Sequence, residues 1–236
     1  MGDDDGSSQP WTETEAAGGP APGPGPTPGM TWDPTSGPDP GDQADADTGG
    51  TTQPTQEPET EPSASDADPN SSARAAIVSA ASGEVGTVIA KQAGDVDDNG
   101  RHLRVGWDHL LDYFHTSAPG VWSDDVVKYS DAPGLPAWCG IFALWALNSG
   151  GASVGTWHMG SGIASVSGLY PTRDPKPGDV GYVDQPYQHH FIVQSIDGDA
   201  VSSIDGNSGG NGSIQSGSHS KSGSLFYSAF APASGQ

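Results

Sequence analysis

Apolar residues recur at helical spacing in three segments of the chain. Over residues 73–92 they fall three or four positions apart, which predicts a helix with one buried face. The side chains on that face would be Ile77, Ala81, Val85, Val88 and Ile89. A second helix is predicted over residues 107–116. A third is predicted to begin at Trp138 or Cys139 and to run to residue 148, because a pair of glycines follows at 150 and 151.

The later part of the chain has the pattern of strands. Four segments are short, rich in Val, Ile, Tyr and Phe, and separated by turn residues; they are residues 179–184, 190–196, 200–205 and 225–230. Asp197, Gly198 and Asp199 predict a hairpin turn between the second and third of these strands. Helices followed by strands predict an α+β domain.

Composition divides the chain into two parts. Residues 1–72 contain half of the 30 acidic residues and 13 of the 21 prolines, but none of the eight Lys and Arg. A segment so acidic and so poor in branched aliphatic residues cannot form a core, so we expect a disordered tail or linker rich in Pro, Gly and Thr. Residues 73–236 have an ordinary size for one domain.

The charge of the second part limits its partners. Residues 73–236 carry 15 acidic and 8 basic residues, a net charge of −7. We therefore expect no nucleic-acid partner and no anionic membrane partner, because both need a basic surface. We also expect no membrane span, since no apolar run approaches the roughly 20 residues required. The first residues lack the features of a signal peptide, so we expect delivery by a non-classical route.

Cys139 is the only cysteine, which excludes an internal disulfide and a cysteine-rich zinc site. It lies at the predicted start of a helix, where unpaired N–H groups and the helix dipole stabilise a thiolate and lower its pKa from about 8.5. The same N–H groups can stabilise an oxyanion on an attacked carbonyl. The alternative is a structural cysteine buried among apolar neighbours.

Two histidines, His189 and His190, lie at the start of the strand predicted over residues 190–196. Asp205 and Asn207 end the next strand and offer a carboxylate or an amide that could orient an imidazole. The order of Cys, His and then Asp or Asn is that of papain-like hydrolases. The alternative for the histidine pair is a metal site, but no third group of ligands accompanies it, so we expect no metal and no other cofactor.

Three motifs resemble those of CHAP domains, the cysteine, histidine-dependent amidohydrolases and peptidases. Residues 138–142 (Trp-Cys-Gly-Ile-Phe) resemble the nucleophile helix of that family, and residues 175–180 (Pro-Lys-Pro-Gly-Asp-Val) resemble the turn into its first sheet strand. Residues 189–205 resemble its histidine strand and the following hairpin. The resemblance extends over residues 72–230 and implies a papain-like fold with a nucleophile cysteine at the start of a helix.

The resemblance also implies roles for the site residues. It aligns His189 with the catalytic histidine, and Asp205 and Asn207 with the acidic residue and the asparagine that follow. Phe191 stands where the family often has glycine, so a shift of one residue to His190 stays open. We favour His189, because such a shift would exchange the two faces of the strand.

By resemblance, the expected substrate is an amide of cell-wall peptidoglycan, either between muramic acid and the stem peptide or within the peptide. We expect Trp138, Trp157, His158 and His190 to contact the substrate, and no role for His102, His109, His115 and His219. Phage release or a secretion system, with a delivery or immunity partner, would fit this function. Two alternatives stay open: an effector protease with a target outside the cell wall, and a catalytically silent module that binds the wall.

Overall fold

The computed structural model of the protein describes residues 68–158 and 162–232. Most of the predicted tail, residues 1–67, lies outside these residues, and the prediction of disorder there stays a prediction. The helices are α1 (Ser71–Gly83), α2 (Trp107–Ser117), α3 (Asp124–Lys128) and α4 (Cys139–Ser149). The strands are β1 (Ile89–Val96), β2 (His102–Val105), β3 (Tyr170–Thr172), β4 (Val180–Val183), β5 (His189–Asp197), β6 (Ala200–Ser208), β7 (Ser213–Ser220) and β8 (Leu225–Ser228).

The eight strands form one antiparallel sheet in the order β2-β1-β7-β6-β5-β4-β8-β3. The predicted hairpin between β5 and β6 is confirmed, because Asp197 pairs with Ala200 across a two-residue turn in which Gly198 has a φ of 59°. The prediction of a mixed fold, with helices and an antiparallel sheet, is thus confirmed. Its papain-like character stays a proposal.

Helix α4 lies at the centre of the core. Its residues 139–147 are all buried, as expected for a helix that is apolar on every side. It packs against α1 and α2 and against strands β5 and β6. The sheet comes very close at Gly206, where a Cβ atom would lie 2.6 Å from the ring of Phe142. This packing fixes the start of α4 above the ends of the central strands.

The Pro-Gly-Asp turn connects α1 to the sheet through a buried ion pair. Nη1 of Arg74 donates to Oδ1 of Asp179 at 2.6 Å, and the backbone N–H of Lys176 donates to Oδ2 at 2.8 Å. Nη2 of Arg74 also donates to the hydroxyl of Ser228 on β8. Burial raises the pKa of the Asp179 carboxyl, and the Lys176 and Arg74 donors oppose that rise. The turn therefore has a structural role, which is to hold α1 against the sheet.

Two predictions about the helical part need correction. The first helix ends at Gly83 rather than at residue 92, and residues 89–96 form a strand. Helix-weakening glycines at 83 and 86 end the helix, and the backbone N–H of Gly86 then bonds to the carbonyl of Ile214. Val85, predicted to face the core, is 42% exposed. Strands β1, β2, β3 and β7 and helix α3 were not predicted.

The helices α2 and α4, by contrast, begin and end within a residue of the predicted bounds. Among the helices of the described residues, none is both long enough and apolar enough to cross a membrane.

Candidate active site

Cys139 is the first residue of α4, as predicted, and is 5% exposed. Its sulfur lines a cleft of about 930 Å³ together with His189, Asp205, Asn207 and His219. The first N–H groups of a helix have no partner within the helix, so the start of α4 offers donors beside the sulfur. The cysteine therefore lies where the sequence placed a nucleophile, at the wall of a cleft.

Cys139 also lines a second cleft of about 400 Å³ on the helix-facing side of the sheet. Here Nδ1 of His190 lies 3.4 Å from Sγ of Cys139. The His190 ring is packed against Trp157 and Tyr182, with ring centroids 5.2 and 4.9 Å away. Its Nε2 is buried and has no hydrogen-bond partner among the described residues. His190 is thus held by aromatic packing and by the thiol.

His189 points to the opposite face of β5, which is the alternation that the sequence predicted. Nε2 of His189 lies 3.4 Å from Oδ2 of Asp205, an ion-pair distance without the alignment of a good hydrogen bond. Burial lowers the pKa of His189, but its interactions with Asp205 and with Cys139 outweigh burial and raise the pKa to about 9. Asp205 therefore stabilises the charged form of this imidazole.

The thiol of Cys139 has an unusually low pKa. Burial raises that pKa, but interactions with His189 and His190, among them the contact of Nδ1 of His190 with the sulfur, lower it to about 6. The thiol pKa is then below that of His189, which is the reverse of the order for the free side chains. Between these two values a thiolate and an imidazolium are the dominant forms of the pair.

Asp205 is 5% exposed and accepts more than one hydrogen bond. The Ser203 hydroxyl donates to Oδ1 at 2.6 Å, and Nε2 of His219 lies 3.0 Å from Oδ2. Burial raises the pKa of Asp205, but the nearby His189 and the hydrogen bonds with His219 and Ser203 hold it well below its usual range. The carboxylate is therefore charged and is shared between two histidines.

His219 lies on a strand and not, as we had expected, in a loop or on an exposed helix. It lies on β7, and its ring stacks on that of Phe191 with centroids 3.9 Å apart and an interplanar angle of 8°. Had β7 been predicted, period-two alternation would have placed residues 217 and 219 on one face of the sheet. His102 is exposed, while His109 and His115 bind Glu84 and Asp124.

Asn207 lies at the end of β6 with a φ of 54° and lines the first cleft. Within residues 68–158 and 162–232, its side chain makes no hydrogen bond to either His189 or His190. Of the two candidate orienting residues, Asp205 is therefore the one in contact with a histidine.

The four residues expected to contact substrate have different surroundings. Trp138 has no exposed surface and packs against Tyr113 and Phe142, so it supports α4 from below and does not line a cleft. Trp157 is 8% exposed, lines the second cleft with His190, and covers the start of α4. A Cβ atom at residue 140 would lie 2.5 Å from the Trp157 ring, so a glycine after the cysteine permits this packing. His158 is exposed and lines neither cleft.

No group of three or more His, Cys, Asp and Glu side chains is arranged to hold a metal ion in the part of the chain that the structure describes. The groups around Cys139 can instead supply a thiolate, a proton donor and a carboxylate. This combination is suited to nucleophilic catalysis.

Comparison with known proteins gives little further information. No protein-family model matches the chain, and no curated protein matches it. The crystal structure of Ly7917 is similar at 14% identity, and that of Ly7917 with the hydrolyzing product of MDP at 16%, each with a TM-score of 0.31. Each match covers 65% of this chain and 61% of the other chain. Similarity at this level carries no argument about fold or function.

Proposed function

We propose that the protein is a cysteine amidohydrolase in which Cys139 is the nucleophile. The observation that carries this proposal is the buried thiol at the start of α4, with Nδ1 of His190 3.4 Å from its sulfur, His189 lining the same cleft, and a thiol pKa lowered to about 6. A structural cysteine among apolar neighbours would have a raised pKa instead. The surroundings of Cys139 therefore favour a reactive thiolate.

The proposed reaction proceeds through a thioester. The thiolate attacks the amide carbonyl carbon, and N–H groups at the start of α4 stabilise the negative charge that forms on oxygen. The imidazolium donates its proton to the leaving amine as the carbon–nitrogen bond breaks. The neutral imidazole then takes a proton from water, which attacks the thioester and releases the carboxylic acid and the thiolate.

Of the two histidines at the thiol, we propose His189 as the acid and base. An imidazolium carries two N–H groups, and burying one without an acceptor is unfavourable. Nε2 of both rings is buried without a well-aligned hydrogen bond among the described residues, but that of His189 lies 3.4 Å from a carboxylate oxygen of Asp205, and no carboxylate lies at ion-pair distance from His190. The proposed role of His190 is to hold the sulfur in position from the side of Trp157.

We propose peptidoglycan as the source of the amide substrate. Support for this choice of substrate comes from the sequence, in which three motifs resemble those of CHAP domains. The large cleft is compatible with an extended substrate, because Cys139 lines it and about 930 Å³ are open. The cleaved bond would join muramic acid to the stem peptide or lie within that peptide.

Incubation of the purified full chain with isolated peptidoglycan, followed by mass spectrometry of the soluble products, tests this proposal. We expect new amine and carboxylic acid ends that are absent with the Cys139→Ala variant. The bond cleaved is read from the product masses. Binding to the wall without any product would favour a silent binding module, and cleavage of proteins but not of peptidoglycan would favour an effector protease.

A further inference from the structure

His219 is a titratable group in the active-site cleft that the proposed reaction does not use, and it contacts Asp205 directly. It approaches the site from β7, two strands away from β5. Its Nε2 lies 3.0 Å from Oδ2 of Asp205, and a carboxylate can only accept, so the histidine nitrogen is the donor. The same oxygen lies 3.4 Å from Nε2 of His189. Asp205 is thus held between two imidazoles.

The backbone of β7 makes this contact possible. Asp205 pairs with Gln215 in the sheet, and its side chain leans over Gly217, which has no side chain to occupy the space. A Cβ atom at residue 217 would lie 2.6 Å from Oδ2 of Asp205. The carboxylate therefore crosses the gap over Gly217 and reaches both His189 and His219.

The His219 ring is itself fixed. It lies flat on the Phe191 ring at 3.9 Å, and its side chain is 16% exposed. Since the Ser203 hydroxyl donates to the other carboxylate oxygen, the two hydrogen bonds leave Asp205 little freedom to rotate. A rigid donor on a strand is suited to hold a catalytic group in position.

We propose that His219 is a positioning residue, which holds the Asp205 carboxylate against His189 and acts on the reaction only through it. This inference rests on the proposed function. Without the donor at 219, Asp205 can turn away from His189, the imidazolium loses its partner, and the thiolate of Cys139 is less favoured. Other titratable groups that line the same cleft are Lys91 and Tyr187.

Substitutions at 219 separate the hydrogen bond from the stacking. His219→Phe keeps a flat ring on Phe191 and removes the donor, while His219→Gln places an amide N–H near the position of Nε2. We expect kcat to fall roughly tenfold to a hundredfold in His219→Phe with KM little changed, as for loss of a hydrogen bond to a charged group. His219→Gln should recover most of that loss. His115→Phe, at an exposed histidine outside both clefts, is the matched control.

A second measurement does not need turnover. The pH dependence of Cys139 alkylation by iodoacetamide reports the thiolate, and we expect its midpoint to move to higher pH in His219→Phe but not in His219→Gln or His115→Phe. If His219→Phe fails to fold, His219→Asn replaces it, because the shorter amide keeps polarity but does not reach Asp205.

Unchanged kcat and an unchanged alkylation midpoint in folded His219→Phe would overturn the inference. Faster turnover or a lower midpoint would also overturn it, since His219 would then compete with His189 for the carboxylate. An inactive wild-type protein would reject the proposed function instead, and the alkylation midpoints would still decide whether His219 positions Asp205.

Discussion

Replacing each histidine beside Cys139 in turn distinguishes their roles. His189→Ala removes the imidazole that is paired with Asp205, and His190→Ala removes the ring whose Nδ1 lies 3.4 Å from the sulfur. We expect turnover to be nearly abolished in His189→Ala, because both the proton donor and the base are lost. In His190→Ala we expect a smaller loss, through poorer placement of the sulfur and of Trp157.

The expected change in the pKa of the Cys139 thiol on removal of His189 follows from the surroundings of the thiol. The pKa of Cys139 is about 6 although burial raises it, so the two imidazoles together offset burial. An opposite charge within a few ångströms typically changes the pKa of a neighbouring group by about 1–3. Removing His189 should therefore raise the thiol pKa to about 7 or above. At pH 6.5 the thiolate fraction would fall from about three-quarters to about a quarter or less.

Two assays on the same proteins check this prediction: the rate of iodoacetamide alkylation of Cys139 between pH 5 and 9, and the rate of amide hydrolysis at the pH optimum of the wild type. Circular dichroism on each variant controls for folding. If folded His190→Ala is inactive while His189→Ala keeps most of its turnover, His190 is the base and our assignment of the strand is displaced by one residue.

The structure makes two further predictions. The pH profile of kcat/KM should rise through about pH 6 as Cys139 ionises and fall through about pH 9 as His189 loses its proton, whereas a single rise near pH 8–9 would exclude the ion pair. Asp179→Ala removes the buried carboxylate beside Arg74 but leaves Asp68 at its Nε, so the free energy of unfolding should fall by about 3 kcal/mol, the lower end for a broken buried pair, and Tm by roughly 6–12 °C in thermal denaturation. Asp131→Ala, at an exposed pair with Arg101, should cost about 1 kcal/mol or less, and equal losses in the two variants would contradict the structural role of Asp179.

Helix α4 could be predicted from the sequence because local signals and tertiary packing agree there. Its residues from Cys139 onward are almost all apolar, two prolines precede it, and two glycines follow it. Helix α1 shows the opposite case, because the helical spacing of apolar residues continues past Gly83 but the helix does not. The backbone of residues 86 and 89–91 instead pairs with β7 and with the turn that precedes β7. Periodicity alone could not show where the helix ended.

Strand β7 could not be predicted because its sequence is mostly serine and glycine. Within Ser213–Ser220 only Ile214 is a buried apolar residue, so neither alternation nor β-propensity identifies a strand. Its pairing with β6 and β1 determines its conformation. His219 was missed for the same reason, since its role depends on which strand it lies on.

Trp138 shows how proximity in sequence can mislead. It stands next to the nucleophile, which suggested contact with substrate, but the turn into α4 directs its ring beneath the helix against Tyr113. Cys139, His189 and Asp205, by contrast, are far apart along the chain and line one cleft in the structure. The sequence did not show on which side of the Cys139 sulfur each of the two adjacent histidines lies.

The most direct test of the account is the reactivity of Cys139 in the folded protein, measured together with hydrolysis by Cys139→Ala. We expect iodoacetamide to modify Cys139 at slightly acidic pH faster than it modifies a free thiol, because the start of α4 and the two imidazoles favour the thiolate. We expect Cys139→Ala to remain folded and to release no product from peptidoglycan or any other amide substrate. A thiol that is inert to alkylation in the folded protein, with hydrolysis surviving its replacement, would contradict the account.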